Sequence, residues 1–252
     1  MIHFVGAGPG ALDLITLRGW RLLQQADAIV YAGSLVNPEL LQYARSGCEL
    51  HNSAEMTLDE VIAVLVRVHR AGGVAVRLHT GDPAIYGAIR EQFDRLRAAG
   101  VPFTVCPGVS SLFAAAAALE AEYTLPEVSQ SLIVTRMAGR TAMPTQESIA
   151  AFATHGTTMV IFLSAGMCQA VQAELLTGGY AADTPAAIVY KASWPDERVC
   201  RCTVGTLAEC AAREGIDHLA LLLVGHFLGE DYALSKLYNP TFSTAFRQGK
   251  QE

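Results

Sequence analysis

Three short stretches carry residue types able to hold a ligand, and each follows an apolar run of the kind that forms a buried strand. The first is Gly6-Ala7-Gly8-Pro9-Gly10-Ala11. It satisfies the G-x-G-x-x-G/A spacing of dinucleotide loops, whose glycines let the backbone approach a pyrophosphate seated on a helix N-terminus. Two features oppose that chemistry. Pro9 and the residues through Ile15 separate the glycines from the helix that Thr16 opens. The ribose-binding acid is also missing from the end of the second strand, where Tyr31 and Ala32 stand, Asp27 coming before that strand. The second stretch, Thr80-Gly81-Asp82-Pro83-Ala84-Ile85-Tyr86-Gly87, combines a glycine for close approach, a carboxylate and a stiffening proline. The third, Pro107-Gly108-Val109-Ser110-Ser111, opens a helix, and its bland reading is Ser110 capping free amides. Singly, each is explained by a turn or a cap. On three strand ends of one sheet they point to a ligand site, because ligands of open α/β sheets bind beyond the carboxyl ends of the strands.

The elements that must position these loops read as follows. Ile2 to Val5, Ala28 to Tyr31, Val74 to Leu78 and Phe103 to Cys106 are short apolar runs that predict strands. Between them, Thr16 to Gln25 places Leu17, Trp20 and Leu23 on one helical side, and Asn37-Pro38 starts another helix. Thr57 and Glu60 form a capping box for a helix running to about Arg70, and Ala88 to Ala99 is helical. Alternation of strand and helix predicts a parallel sheet covered by helices. An Ala-rich helix follows from Ser110 to Leu119. The stretch Glu120 to Ser129, with Pro126, then marks a domain boundary, giving domains 1–122 and 123–252. The second half holds strands at Leu132 to Arg136, Thr158 to Leu163, Ala186 to Tyr190, Val199 to Thr203 and Leu219 to Val224. A Trp194-Pro195-Asp196 turn between two of them implies a hairpin and a mixed sheet, and Thr206 with Glu209 suggests a further capping box. The expected fold is α/β: two α/β domains, parallel-rich then mixed, with a cleft between them.

Composition narrows the class. The 252 residues include 18 Lys plus Arg against 24 Asp plus Glu, a net charge of -6, with 17% charged and 51% hydrophobic residues. Such a chain buries enough apolar surface to fold, and it lacks the dense basic surface of a general nucleic-acid binder. So few charges favour a subunit interface. No basic head with a long apolar run opens the chain, and no uninterrupted span of about 20 apolar residues occurs. A cytoplasmic protein that neither spans nor binds a membrane is expected. Cys48, Cys106, Cys168, Cys200, Cys202 and Cys210 form no C-x-x-C pair and read as free thiols. The histidines are scattered without ligand spacing, so no protein-bound metal is expected.

The motifs, in this order, resemble the tetrapyrrole (corrin and porphyrin) methyltransferase family, whose members use S-adenosylmethionine. The family's G-x-G-P-G opening is matched by Gly6 to Gly10, its G-D-P by Gly81 to Pro83 and its P-G-[VI]-[ST] by Pro107 to Ser110. The resemblance covers essentially the full length. Tyr31-Ala32-Gly33-Ser34-Leu35-Val36-Asn37-Pro38, Gly81 to Ala88 and Val189 to Glu197 are similar to the group that methylates C11 of precorrin-4 in cobalamin synthesis. Uroporphyrinogen enzymes tend to have a Phe-rich segment after G-D-P. Ala11 departs from the Asp that many relatives carry. The resemblance implies the tetrapyrrole methylase fold, a homodimer, and S-adenosylmethionine folded into the interdomain cleft and leaving as S-adenosylhomocysteine. Position by position it implies cofactor contacts at Pro9, Thr80, Gly81, Asp82, Ile85, Ser110 and Ser111, with Leu163 and Ala192 from the second domain.

Methyl transfer from a sulfonium to an electron-rich ring carbon needs an in-line approach and little covalent help. That suits a chain without a Ser-His-Asp or Cys-His arrangement. Asp82, Tyr86 and His79 are the candidates for a base that removes a proton after alkylation, with cofactor binding or turn structure as their other reading. The tetrapyrrole carries many carboxylates while the protein is acidic, so local cations must pair with them. Arg90, Arg136, Arg140 and Lys191 are the candidates, and Arg136→Ala is expected to weaken substrate binding more than cofactor binding. The other readings are the cobalt complex of the same substrate, a different tetrapyrrole position, a nicotinamide oxidoreductase using Gly6 to Ala11, and a non-catalytic tetrapyrrole carrier.

Overall fold

The computed structural model describes residues 1–33 and 35–250, so Ser34 of the quoted resemblance lies outside the described residues. Strands β1 (Ile2–Gly6), β2 (Ala28–Tyr31), β3 (Glu49–Asn52), β4 (Ala75–His79) and β5 (Phe103–Cys106) form a sheet in the order β3-β2-β4-β1-β5. Every neighbouring pair is parallel, as the alternation of strand and helix predicts. The helices are α1 (Leu17–Gln25), α2 (Leu58–Arg70), α3 (Arg90–Ala98) and, after β5, α4 (Ser111–Leu119). One face of the sheet buries Val5, Ile29, Val76 and Leu78 with Leu23 and Leu40. The other buries Ile2, Phe4 and Val30 against Val61, Leu65 and Leu96. Burial on both faces is why these strands read as continuous apolar runs.

Caps fix where the helices begin. Gly19 N donates to Thr16 Oγ1 at 3.1 Å, and Thr57 with Glu60 closes the expected box on α2. Asn37-Pro38 starts a 3-10 turn, Pro38–Tyr43, instead of an α-helix. The third helix begins at Arg90, two residues later than expected, because Ala88 sits at φ +48, outside the helical region. The edge strand β3 has no counterpart in the sequence reading.

In the second half, α5 (Ile149–Ala153), α6 (Cys168–Thr177) and α7 (Leu207–Glu214) accompany β6 (Leu132–Arg136), β7 (Thr158–Phe162), β8 (Pro185–Tyr190), β9 (Arg198–Thr203) and β10 (Ala220–Val224). The order is β6-β7-β10-β8-β9, with only the β6–β7 pair parallel. The sheet is mixed, and β8 and β9 are the antiparallel hairpin partners that the Trp-Pro turn implies. The core joins Met159, Ile161, Ile188 and Leu222 to Val171, Leu175 and Leu207. All six cysteines are free. Burial pushes the Cys168 thiol up to about 11, so it stays protonated. Thr206 does not cap α7 as its spacing from Glu209 suggests. Its hydroxyl accepts from Thr203 N at 3.1 Å instead, closing a box on the 3-10 turn that precedes the helix.

These elements make two compact units, Met1–Ala115 with Lys191–Glu197, and Ala116–Tyr190 with Arg198–Glu252. The loop joining β8 to β9 thus belongs to the first. Among the described residues no helix is long and apolar enough to cross a membrane.

Candidate functional site

The three motif loops meet main chain to main chain. Gly8 and Gly81 exchange hydrogen bonds, Gly8 N to Gly81 O at 3.2 Å and Gly81 N to Gly8 O at 2.8 Å. Gly108 N donates to Asp82 Oδ2 at 2.8 Å, and Ala84 N to Asp82 Oδ1 at 2.8 Å. A Cβ on Gly6 would lie 2.5 Å from Gly108 Cα and 2.6 Å from Gly81 O, and one on Gly108 would lie 2.2 Å from Gly81 O. No side chain fits at either place, so these glycines serve the packing of one loop on another. Gly81 differs. Its φ of +57 calls for glycine, yet a Cβ there would meet nothing nearer than Ser110 Cα at 3.5 Å. A side chain there would meet backbone at ordinary contact distance, so it is the conformation and not the space that calls for glycine, and Gly81 is itself buried.

The glycine loop itself is not a phosphate cradle. Pro9 O accepts from Trp194 Nε1 at 3.0 Å, Gly10 O accepts from Asn37 Nδ2 at 2.9 Å, and Ala11 N donates to Ser193 Oγ at 3.0 Å. A 3-10 turn at Leu12–Leu14 follows, and α1 starts only at Leu17. With the Ala7, Gly8 and Ala11 amides committed to His79 O, Gly81 O and Ser193 Oγ, and the helix N-terminus displaced, the loop lacks the free donors that bind a pyrophosphate. Ala11 takes part through its amide, so the Asp of relatives is not needed for this contact.

The residues singled out in the sequence gather unevenly. Pro9, Thr80, Gly81, Asp82, Ile85, Ser110, Ser111 and Ala192 all belong to the first unit, where Pro9, Gly81, Ser110 and Ala192 are buried. Leu163 belongs to the second unit and ends β7, 57% exposed and at φ +54. Left-handed backbone is costly for such a residue, and strain of this kind collects at functional sites. The same conformation occurs at Tyr86, beside Ile85, and at Lys191 and Ser193, on either side of Ala192.

Of the base candidates, Asp82 spends one carboxylate oxygen on each of two backbone amides. His79 is buried, stacks on the Phe4 ring at 6.0 Å and leaves Nε2 without a partner. Burial, helped by the charge of Arg77, pushes its imidazole down to about 3, which makes it a weak base. Arg77 is buried too, donating from Nε to Gln92 Oε1 and from Nη1 to Val30 O. Tyr86 is 44% exposed. Among the cations, Arg90 is 83% exposed and bridges Asp94, while Lys191 Nζ lies 2.7 Å from Asp196. Arg136 donates to Met137 O, Thr141 O and Ala142 O at 3.1, 3.3 and 3.0 Å, bracing the loop that carries the exposed Arg140. Among the described residues no three His, Cys, Asp or Glu side chains are placed to hold a metal ion.

Sequence reasoning missed Asn37, Ser193 and Trp194 as partners of the glycine loop. Gly10 was the signal, since a glycine beyond the needs of the turn marks a close approach. A hollow of about 520 Å³ beside β3 and α2, lined by Leu50, His51, Met56 and Glu60, contains none of the motif residues.

Residues 1–208 match the family model of Tetrapyrrole (Corrin/Porphyrin) Methylases. The chain is 50% identical over 252 residues to cobalt-precorrin-4 C(11)-methyltransferase of Methanocaldococcus jannaschii, covering all of this chain and 97% of that protein. An X-ray structure of a cobalt-precorrin-4 methyltransferase of cobalamin biosynthesis superposes with a TM-score of 0.89 at 44% identity, covering 91% of this chain and 96% of that one. Uroporphyrin-III C-methyltransferase of Thermus thermophilus, solved with S-adenosylhomocysteine, gives a TM-score of 0.76 at 28% identity over 90% of this chain and 93% of that one. With its glycine loop closed to a dinucleotide and its likeness to these enzymes running nearly end to end, the chain belongs to the tetrapyrrole (corrin and porphyrin) methylase family.

Proposed function

We propose that this chain transfers the methyl group of S-adenosylmethionine to C11 of precorrin-4, a step of cobalamin biosynthesis. The observation that carries this reading is the 50% identity, over the whole chain, to an enzyme named for that position. The residues present fit the cofactor. A sulfonium is a cation, and none of Pro9, Thr80, Gly81, Asp82, Ile85, Ser110, Ser111, Leu163 and Ala192 is basic. Thr80, Ser110 and Ser111 offer hydroxyls for a nucleoside. When bound, the cofactor supplies an electrophilic methyl group, and no protein nucleophile is required. The protein's part is orientation. Asp82 ties the loop after β4 to the loop after β5 by accepting from Gly108 N, while its other oxygen accepts from Ala84 N within its own loop, so the surface is set before any ligand arrives. Arg136 and Arg140 serve as partners for substrate carboxylates, with Arg90 and Lys191 as further candidates.

The cobalt complex of precorrin-4 is the second reading, favoured because both the 50%-identical relative and the structure at TM-score 0.89 are named for it. We further propose a homodimer working in the cytoplasm. Tyr232, Leu234, Tyr238 and Phe246 expose large apolar side chains, which supports burial of such surface against a second copy. Sedimentation analysis is expected to give twice the chain mass.

Calorimetry with S-adenosylmethionine, S-adenosylhomocysteine and NAD tests the cofactor. Micromolar binding of both sulfur nucleosides and none of NAD is expected, and the reverse overturns the reading. Mass spectrometry of reactions with metal-free and cobalt-bearing precorrin-4 is then expected to show one added methyl group, and the faster substrate decides between the two forms.

A further inference from the structure

We propose that Trp194 is a positioning residue: it pins the loop between β8 and β9 onto the glycine loop and thereby fixes the backbone at Ala192. The inference rests on the reading of Ala192 as a cofactor contact.

The indole fills the space that a side chain on Gly10 would need. A Cβ there would fall 1.9 Å from Trp194 Cδ1 and 2.0 Å from Nε1. The same indole donates from Nε1 to Pro9 O at 3.0 Å. Its neighbour Ser193 accepts from Ala11 N at 3.0 Å, so two consecutive residues grip three consecutive residues of the glycine loop. The loop is also tied to itself. Trp194 N donates to Lys191 O at 2.9 Å, Glu197 N to Trp194 O at 3.0 Å, and Lys191 Nζ lies 2.7 Å from Asp196 and 5.2 Å from the centre of the indole ring.

This grip matters because the backbone it holds is unfavourable. Lys191 sits at φ +46 and Ser193 at φ +70, left-handed conformations on both sides of the buried Ala192. Residues with a Cβ keep such dihedrals only where surrounding contacts over-determine them. The anchors at Pro9 and Ala11 supply those contacts at Ser193 and Trp194. Released from them, the segment relaxes toward ordinary dihedrals and Ala192 leaves the orientation in which it meets a ligand. Trp194 touches no reacting atom on this account. It acts through Ala192.

Calorimetry with S-adenosylhomocysteine and steady-state kinetics on the full chain test the proposal with three variants. Trp194→Phe keeps a ring against Gly10 and removes the N–H, and is expected to weaken nucleoside binding about fivefold, the size of one lost hydrogen bond. Trp194→Ala, and Gly10→Ala with the indole pushed out, are expected to weaken it about tenfold or more. In each, KM for the cofactor rises more than kcat falls, a split that mere loss of folded protein does not give. Should Trp194→Ala fail to fold, Trp194→Phe and Gly10→Ala still decide. Wild-type binding of the nucleoside with wild-type affinity in these variants overturns the proposal alone. A wild-type chain that binds no sulfur nucleoside overturns the cofactor reading and this proposal with it.

Discussion

The strand ends of the two sheets are built from different materials. In the first unit the loops after β1, β4 and β5 touch through glycine backbone, and Asp82 and the Gly8–Gly81 exchange fasten them. In the second unit the loop after β6 is held by side chains: Arg136, whose guanidinium reaches three carbonyls, and Ser164, whose Oγ accepts from Met137 N at 2.8 Å. A junction of main chain has no atoms to spare and presents the same groups in any sequence that can form it. A loop held by a side chain tolerates change. The contrast suits the two tasks proposed for these loops, since a cofactor common to a family can be met by backbone, whereas substrates that differ in their carboxylates need side chains that can vary.

The largest expected effect tests that contrast directly. Gly6→Ala drives a Cβ to within 2.6 Å of backbone in both neighbouring loops and is expected to cost about 3 kcal/mol or more in urea unfolding, with loss of nucleoside binding. Gly139→Ala, in the loop braced by Arg136, meets only Met167 at 3.5 Å and is expected to stay within about 0.5 kcal/mol of wild type. Equal losses at the two glycines break the comparison.

Acid separates the units next. Burial depresses His79 to about 3, so it stays neutral in the folded chain while the unfolded chain binds a proton below its ordinary value of 6.5. Stability therefore falls as pH drops from about 6.5 toward 3, by about 2 kcal/mol between pH 6 and 4.5. In the second unit burial raises Cys168 to about 11 and Tyr180 to about 12, and both remain neutral throughout that window. Hydrogen exchange is expected to show amides of β1 and β4 losing protection before those of β7 and β10, and His79→Leu to remove most of the slope. A slope unchanged in that variant assigns the acid sensitivity elsewhere.

Much of this was legible in the chain because the signals are local. The buried parallel strands announce themselves as runs such as Ile2 to Val5, the motif loops follow them, and the Trp-Pro turn marks the β8–β9 hairpin. What stayed hidden depends on tertiary contact. The strand β3 reads Glu-Leu-His-Asn, half polar because it lies at a sheet edge, and α6 buries only a narrow line of Cys168, Val171 and Leu175. Trp194 meets Pro9 across 185 positions, which no periodicity reports. Asp82 looks the same in a sequence whether it accepts a substrate proton or two amides. Asp82→Asn separates those roles, because an amide turns one acceptor into a donor facing a backbone N–H. The clamp predicts a stability loss of about 1–2 kcal/mol and a raised KM for the cofactor, with the pH profile of kcat unmoved. A base predicts the reverse, a collapsed kcat on an intact fold.

The smallest expected effect falls on the side-chain half of the comparison. Arg136 uses Nη1 for two carbonyls and Nη2 for a third, which leaves its Nε–H and one Nη2–H for a carboxylate. Arg136→Ala removes both the brace and those donors, and is expected to weaken tetrapyrrole binding about fivefold while leaving S-adenosylhomocysteine affinity unchanged in calorimetry. Arg136→Lys restores the charge but not the planar fork, so it cannot reach all three carbonyls at once and is expected to recover little of the loss. Full recovery with Lys reduces the role to long-range charge. An equal loss of nucleoside affinity in Arg136→Ala ties the loop after β6 to the cofactor as well, and the division of labour between backbone and side chain then dissolves.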